Sequence, residues 1–251
     1  VNKLGQFLSN PLLRNIFGQK ENKIDLEKIM NERKILLISL SKGKLGEENS
    51  SFFGSMFITK LYQAGTARAS IKEEERKDFY LYVDEFHNLI TTTFENLFAE
   101  SRKYGLAITV AHQYTAQLLP QVMATVLGNI GTIVVFRVGG DDADKLAKEM
   151  TPIFGAEDMI NLGVQEFYIK MAIDGETFDP FSAETLKILP ATHDSYREEI
   201  IQESRKKYAL PLEEVKKRII EEERIKTETK EVEEITEKEE EKEEEDIEPL
   251  V

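Results

Sequence analysis

The stretch Phe79-Tyr80-Leu81-Tyr82-Val83-Asp84-Glu85 carries five apolar residues directly into two carboxylates. A short apolar run of this kind is typical of a buried strand in a parallel sheet. The last residues of such a strand lie at the sheet edge where ligands of open α/β sheets bind. The stretch therefore predicts a strand that presents Asp84 and Glu85 at a functional site. A plainer interpretation also stands, because many strands end in an acidic residue that only begins a surface loop.

Similar apolar runs lie on both sides of this stretch. The strands predicted from them span residues 34–40, 106–111, 132–138 and 166–173. Apolar residues at helical spacing predict helices over residues 49–68, 93–104, 116–127 and 141–150. Strands that alternate with helices along a chain indicate parallel βαβ units. We therefore expect an α/β fold, in which an open parallel sheet is covered by helices on both faces.

The composition changes near the end of the chain. Residues 191–226 predict a helical extension, and residues 227–251 are nearly all Glu, Lys and Thr. The latter tract cannot bury enough apolar surface to fold, so it is either disordered or a solvated helix held by Glu–Lys pairs. Between Glu213 and Val251, 18 acidic and eight basic residues supply −10 of the net charge of −14. The rest of the chain is only mildly acidic, so the overall charge does not exclude a nucleic-acid partner.

Two classes of protein are excluded by composition. The chain contains no cysteine, which excludes a disulfide framework and a thiolate zinc site. It also contains no run of eighteen apolar residues, so the sequence predicts no membrane-spanning helix.

The acidic pair predicts magnesium-assisted attack of a water on a phosphate group. Magnesium in proteins is held by one or two carboxylates together with waters and phosphate oxygens, which is the part we assign to Asp84. A second carboxylate beside it can orient and deprotonate an attacking water, which is the part we assign to Glu85.

Two later residues of the sequence, Arg102 and Gln113, support this prediction. Gln113 follows the strand predicted over residues 106–111, where an amide can position a water or sense a phosphate. Arg102 lies at the end of the preceding helix, where a guanidinium can reach across a subunit boundary to stabilise transition-state charge. Taken alone, Gln113 could be an ordinary loop residue, and Arg102 could be a cation favoured at a helix C-terminus.

Together these segments resemble the HerA–FtsK superfamily of hexameric DNA- and protein-translocating ATPases. They are most similar to its TraG/TraD-like group, the coupling ATPases of conjugation and type IV secretion. The resemblance is carried by Val83-Asp84-Glu85-Phe86, by residues 100–106, by Ala111-His112-Gln113 and by the loop over residues 40–46.

The resemblance implies a RecA-like ATPase domain over residues 1–190 that uses ATP and Mg²⁺ to move DNA. It implies that Glu85, Arg102 and Gln113 are catalytic, that Asp84 holds magnesium, and that Asp84, Glu85 and Gln113 contact the nucleotide. It further implies a homo-oligomeric, hexameric ring in the cytoplasm, with secretion-system or membrane partners reached through an N-terminal region.

One motif of such ATPases is not found in this sequence. The phosphate-binding loop Gly-x-x-x-x-Gly-Lys-Ser/Thr does not occur, and Gly43-Lys44 lacks both its spacing and its hydroxyl residue. Because the chain begins with Val1 in the middle of a pattern, we expect the loop to lie in a preceding segment, so that the 251 residues hold part of the ATPase.

Two other interpretations remain. The chain could be a non-catalytic RecA-like protein that serves assembly or DNA binding. Alternatively, Asp84-Glu85-Phe86-His87 fits the DExH box of a helicase, although no later segment resembles the other motifs of that class.

Overall fold

The computed structural model describes residues 10–192, 194–222, 224–225 and 229. The chain divides into two compact units. One is Asp25–Pro190, and the other comprises the described parts of Val1–Ile24 and Ala191–Val251. The predicted tail over residues 227–251 lies outside the described residues, with the exception of Thr229.

The larger unit alternates helices with strands. Its helices are α2 (Leu26–Asn31), α3 (Lys42–Leu45), α4 (Glu47–Ala67), α5 (Thr92–Glu100), α6 (Pro120–Asn129), α7 (Gly140–Met150) and α8 (Ala156–Ile160). Its strands are β1 (Phe79–Val83), β2 (Leu106–Val110), β3 (Thr132–Val135), β4 (Glu166–Ile173), β5 (Glu176–Thr177) and β6 (Phe181–Glu184). Single 3-10 turns span Arg68–Ser70, Glu73–Glu75, Phe86–Leu89, Ser101–Tyr104 and Thr115–Gln117.

The strand predicted to end at Asp84 and Glu85 is present. β1 pairs with β2 in parallel, with Phe79 opposite Leu106 and Val83 opposite Val110. Helices lie around this pair, so the predicted α/β class with a parallel sheet is confirmed. The side chains of β1 alternate between the core and solvent, and Tyr80 and Tyr82 remain 62% and 72% exposed.

The second sheet corrects the expectation that all strands are parallel. β4 pairs antiparallel with β3 and with β6. Asp174 and Gly175 both have positive φ and form the two-residue turn between β4 and β5, a geometry that suits a tight hairpin. The alternation of strands and helices does not predict this pairing correctly, because the connection from β3 to β4 contains two helices, α7 and α8. Such a connection does not determine whether β4 runs parallel or antiparallel to β3.

The strand predicted over residues 34–40 is wrong. The segment is extended but belongs to neither sheet of the described residues. Ile35 and Leu37 are 90% and 80% exposed. An apolar run becomes a strand only where a neighbouring strand accepts its backbone hydrogen bonds. In the described part of the chain, the parallel sheet consists of β1 paired with β2, so residues 34–40 have no neighbouring strand in it.

The predicted helices are present in this unit, with ends set by local capping. Asp25 caps α2, and its carboxylate accepts the Lys28 amide hydrogen at 2.9 Å. α6 begins at Pro120, the first-turn position that proline favours.

The smaller unit is helical. α1 (Pro11–Phe17) begins after the cap residue Asn10, and α9 spans Arg197–Tyr208. A second helix covers residues 212–222, so the helical extension predicted over residues 191–226 is interrupted at residues 209–211. Pro211 explains the interruption because it has no amide hydrogen to continue the first helix. No helix in the described part of the chain is long and apolar enough to cross a membrane.

Candidate functional site

The loops that follow β1 and β2 are joined to each other. The Ala111 amide donates to the Val83 carbonyl at 2.9 Å, and the Phe86 amide donates to the Ala111 carbonyl at 3.2 Å. The parallel ladder therefore continues beyond the ends of both strands. This extension holds the residues after Val83 against those after Val110 at the carboxyl edge of the sheet.

Glu85 and Gln113 meet at this edge. The Gln113 side-chain amide donates to Oε1 of Glu85 at 2.6 Å, although the residues are 28 positions apart in the sequence. An amide this close to a carboxylate fixes the orientation of the carboxylate and can align a third group, such as a water, with it. The structure thus brings together two of the residues that the sequence singled out.

Glu85 has a left-handed backbone conformation, with φ 49° and ψ 43°. This region is uncommon for residues other than glycine and costs about 1–3 kcal/mol, and such residues are concentrated at active sites. Phe86 stabilises the turn from the core side, because it is fully buried and stacks on Phe94 with ring centroids 5.6 Å apart. The turn directs Glu85 towards Gln113.

Asp84 is exposed and lies beside Glu85. Its Oδ1 accepts the Glu85 amide hydrogen at 3.0 Å, which leaves Oδ2 available to a ligand. Among the described residues, no group of three or more Asp, Glu or His side chains is placed to hold a metal ion. A single carboxylate oxygen can supply one ligand to a magnesium ion whose other ligands are waters and phosphate oxygens.

Two histidines lie close to the turn at Glu85. His87 Nδ1 is 3.4 Å from Oε2 of Glu85, so this imidazole and Gln113 lie at opposite oxygens of one carboxylate. His112 packs edge-on against Phe86, with ring centroids 5.1 Å apart. Burial lowers the pKa of His112, an effect that His87 adds to and that Asp142 and Glu85 oppose.

The loop after Gln113 is attached to α7. Asp142 is buried, and its Oδ1 accepts the Thr115 amide hydrogen at 3.3 Å as well as the Thr115 hydroxyl. Lys145 in turn donates to the Thr115 hydroxyl at 3.0 Å. Sequence reasoning missed these contacts, because no local pattern links residues 27 and 30 positions apart.

Arg102 lies at the opposite end of the strands. It belongs to the turn Ser101–Tyr104, which precedes β2, and the Gly105 carbonyl accepts the amide hydrogen of Phe79 at the start of β1. A five-residue strand places this end on the order of 13 Å from the end that carries Glu85. The exposed Arg102 side chain is therefore not part of the Glu85–Gln113 group within one chain.

The segment that holds β1, β2 and both loops matches a known family. Residues 78–165 match the family model described as the TraM recognition site of TraD and TraG. This segment is TraG/TraD-like. The resemblance inferred from the motifs around Asp84, Arg102 and Gln113 is thereby confirmed for the central part of the chain.

Solved structures of two kinds are similar to the chain. The bacterial conjugative coupling protein TrwBdeltaN70 is 15% identical, with a TM-score of 0.42, over 51% of this chain and 35% of that one. The genome-packaging NTPase B204 of Sulfolobus turreted icosahedral virus 2, solved with AMPPCP and with ATP-gammaS, is 16% identical, with a TM-score of 0.46, over 66% of this chain and 74% of that one. The chain thus spans about a third of the coupling protein. No curated protein sequence matches it significantly.

Proposed function

We propose that this chain is the C-terminal part of the motor domain of an ATP-driven DNA translocase of the conjugative coupling type. The observation that carries the proposal is the 2.6 Å contact of Gln113 with Glu85 at the carboxyl edge of parallel strands, within a TraG/TraD-like segment. In this role Glu85 accepts a proton from the attacking water, and Gln113 keeps the carboxylate and that water aligned.

Asp84 completes the proposed site. Its free oxygen would hold Mg²⁺, which neutralises charge on the transferred phosphate when it is bound. The phosphate-binding loop would come from a segment that precedes residue 1 in a longer protein, because the 251 residues contain no such motif.

The assembly and its partners are also part of the proposal. The remoteness of Arg102 from Glu85 suits a homo-oligomeric ring, in which Arg102 of one subunit serves the site of the next. We further propose that a DNA-processing accessory protein docks on the region of residues 78–165, in keeping with the recognition site that the family description names. We place the protein in the cytoplasm, with any membrane attachment made by a preceding region.

The proposal is tested in a longer protein that includes the phosphate-binding loop. Glu85→Gln should abolish ATP turnover while Mg-ATP still binds, because the amide preserves shape but cannot accept the proton. Glu95→Gln is a matched control, since Glu95 of α5 also accepts from a glutamine side chain, that of Gln121 in α6 at 3.3 Å. Normal turnover in Glu85→Gln would refute the role of Glu85, whereas absence of turnover in the parent protein would favour a non-catalytic protein.

A further inference from the structure

Asn88 uses each of its polar groups around the Glu85 turn. Its backbone amide and its side-chain amide both donate to the Glu85 carbonyl, each at 3.1 Å. Its side-chain oxygen accepts from Lys42 Nζ at 3.1 Å, and its carbonyl accepts from the Ser51 hydroxyl at 2.5 Å. Polar groups away from solvent are generally hydrogen-bonded, and two of these four bonds end on the Glu85 carbonyl.

The contacts made by Asn88 support the left-handed backbone conformation of Glu85. The left-handed turn at Glu85 is unfavourable for a residue that has a side chain. Two donors from Asn88 on the Glu85 carbonyl hold the peptide in the orientation that directs the carboxylate to Gln113. These two donors add to the packing of Phe86 and to the hydrogen bond from the Glu85 amide to Asp84, which also support the turn.

Lys42 attaches this turn to a distant segment. It lies 46 positions before Asn88, in α3, and its ammonium also donates to Glu47 at 2.8 Å. That hydrogen bond, together with the charge of Lys42, lowers the pKa of Glu47. The loop over residues 40–46, which carries part of the family resemblance, is thus connected to Glu85 through Asn88.

We infer that Asn88 is a positioning residue for Glu85, and that Lys42 tethers it. In this role Asn88 acts through the Glu85 backbone and does not itself contact the nucleotide or the attacking water. The inference rests on the proposed function for its meaning in catalysis, but the geometry it asserts can be measured separately from any turnover.

The test follows the side-chain amide signals of Gln113 in nuclear magnetic resonance spectra of the ¹⁵N-labelled 251-residue chain. Glu85→Ala defines the position of these signals when the carboxylate is absent. Asn88→Ala should move them most of the way to that position, and Lys42→Met should move them part of the way in the same direction.

Matched controls separate this effect from general loosening. Asn129→Ala removes a side-chain amide that likewise donates to a backbone carbonyl, that of Thr125 at 2.8 Å, but does so on the exposed surface of α6. Lys44→Met removes an exposed charge two residues from Lys42. Both control variants should leave the Gln113 signals at the parent position.

Unmoved Gln113 signals in both Asn88→Ala and Lys42→Met would overturn the inference. If Asn88→Ala does not fold, as judged by circular dichroism, the exposed Lys42→Met variant decides alone. Movement in Asn88→Ala without movement in Lys42→Met would retain Asn88 and remove Lys42 from the account. Normal turnover of Glu85→Gln in the longer protein would instead refute the proposed function and leave these spectral results in force.

Discussion

Glu85 illustrates how one residue can combine a recognisable sequence position with an unusual backbone. The sequence places it directly after an apolar strand, and the structure shows that it leaves that strand through a left-handed turn. The turn brings the Glu85 carboxylate within hydrogen-bond distance of Gln113, a contact that the strand alone would not provide. The predicted roles of Asp84, Glu85, Arg102 and Gln113 in catalysis stay predictions.

In the proposed ring, Arg102 serves the Glu85 site of another subunit, because it lies at the far end of its own strands. In the longer protein, Arg102→Ala and Glu85→Gln should each be inactive alone. When the two variants are mixed, ATP turnover should return, since some interfaces then pair an intact Glu85 with an intact Arg102. Mixtures that stay inactive, although native gels show mixed oligomers, would contradict action between subunits.

His112 should make the fold sensitive to acid. Burial lowers its pKa in the folded chain below the ordinary value of 6.5, so the unfolded chain binds the proton more readily. The free energy of unfolding should therefore fall as the pH drops through 6.5. His112→Phe keeps a ring against Phe86 and should lose less stability on acidification, measured by urea unfolding at about pH 7 and pH 5. Equal losses in both proteins would show that His112 does not contribute.

At the scale of elements, α4 approaches the site more closely than a side chain would allow. A Cβ atom placed on Gly54 would lie 2.2 Å from Leu89 Cδ2 and 3.1 Å from Leu40 Cδ1. Leu89 is buried, so it cannot move aside freely. Glycine is therefore required for α4 to pack beneath the turn that follows Glu85.

Gly54→Ala should consequently destabilise the chain by about 1–3 kcal/mol through overpacking. Gly128→Ala in α6 is the matched control, because a Cβ there meets no atom of the described chain within 4 Å. It should stabilise the chain by up to about 1 kcal/mol through helix propensity. Thermal or urea unfolding measures both changes, and equal effects of the two substitutions would contradict the packing argument.

The elements also show where local patterns are insufficient. Residues 34–40 and β1 have the same apolar character, but only β1 lies beside a strand that accepts its hydrogen bonds. β4 was predicted at its observed bounds, but its direction depends on the turn at Asp174-Gly175 and on its pairing with β3. An apolar run of neighbouring residues shows where a strand can form, whereas long-range pairing decides whether it forms and in which direction it runs.

At the scale of the whole molecule, the chain carries the carboxyl edge of the proposed hydrolysis site but contains no phosphate-binding motif. We therefore expect the 251 residues to show no ATP turnover above that of the Glu85→Gln form of the same chain. A phosphate-release assay with Mg-ATP measures this. Sustained turnover that is abolished by Glu85→Gln would mean that phosphate is bound by residues we have not recognised.

What the sequence determined by itself is what adjacent residues can encode. Apolar runs specified β1, β2 and β4, helical spacing specified α4 to α7, and the acidic pair with Gln113 and Arg102 specified the TraG/TraD resemblance. Only the tertiary structure decided that Gln113 contacts Glu85, that Arg102 lies at the other end of the strands, and that Asn88 and Lys42 support the Glu85 turn. Such contacts join residues tens of positions apart, and their formation depends on strand register and on one strained backbone angle, neither of which has a local signature in the chain.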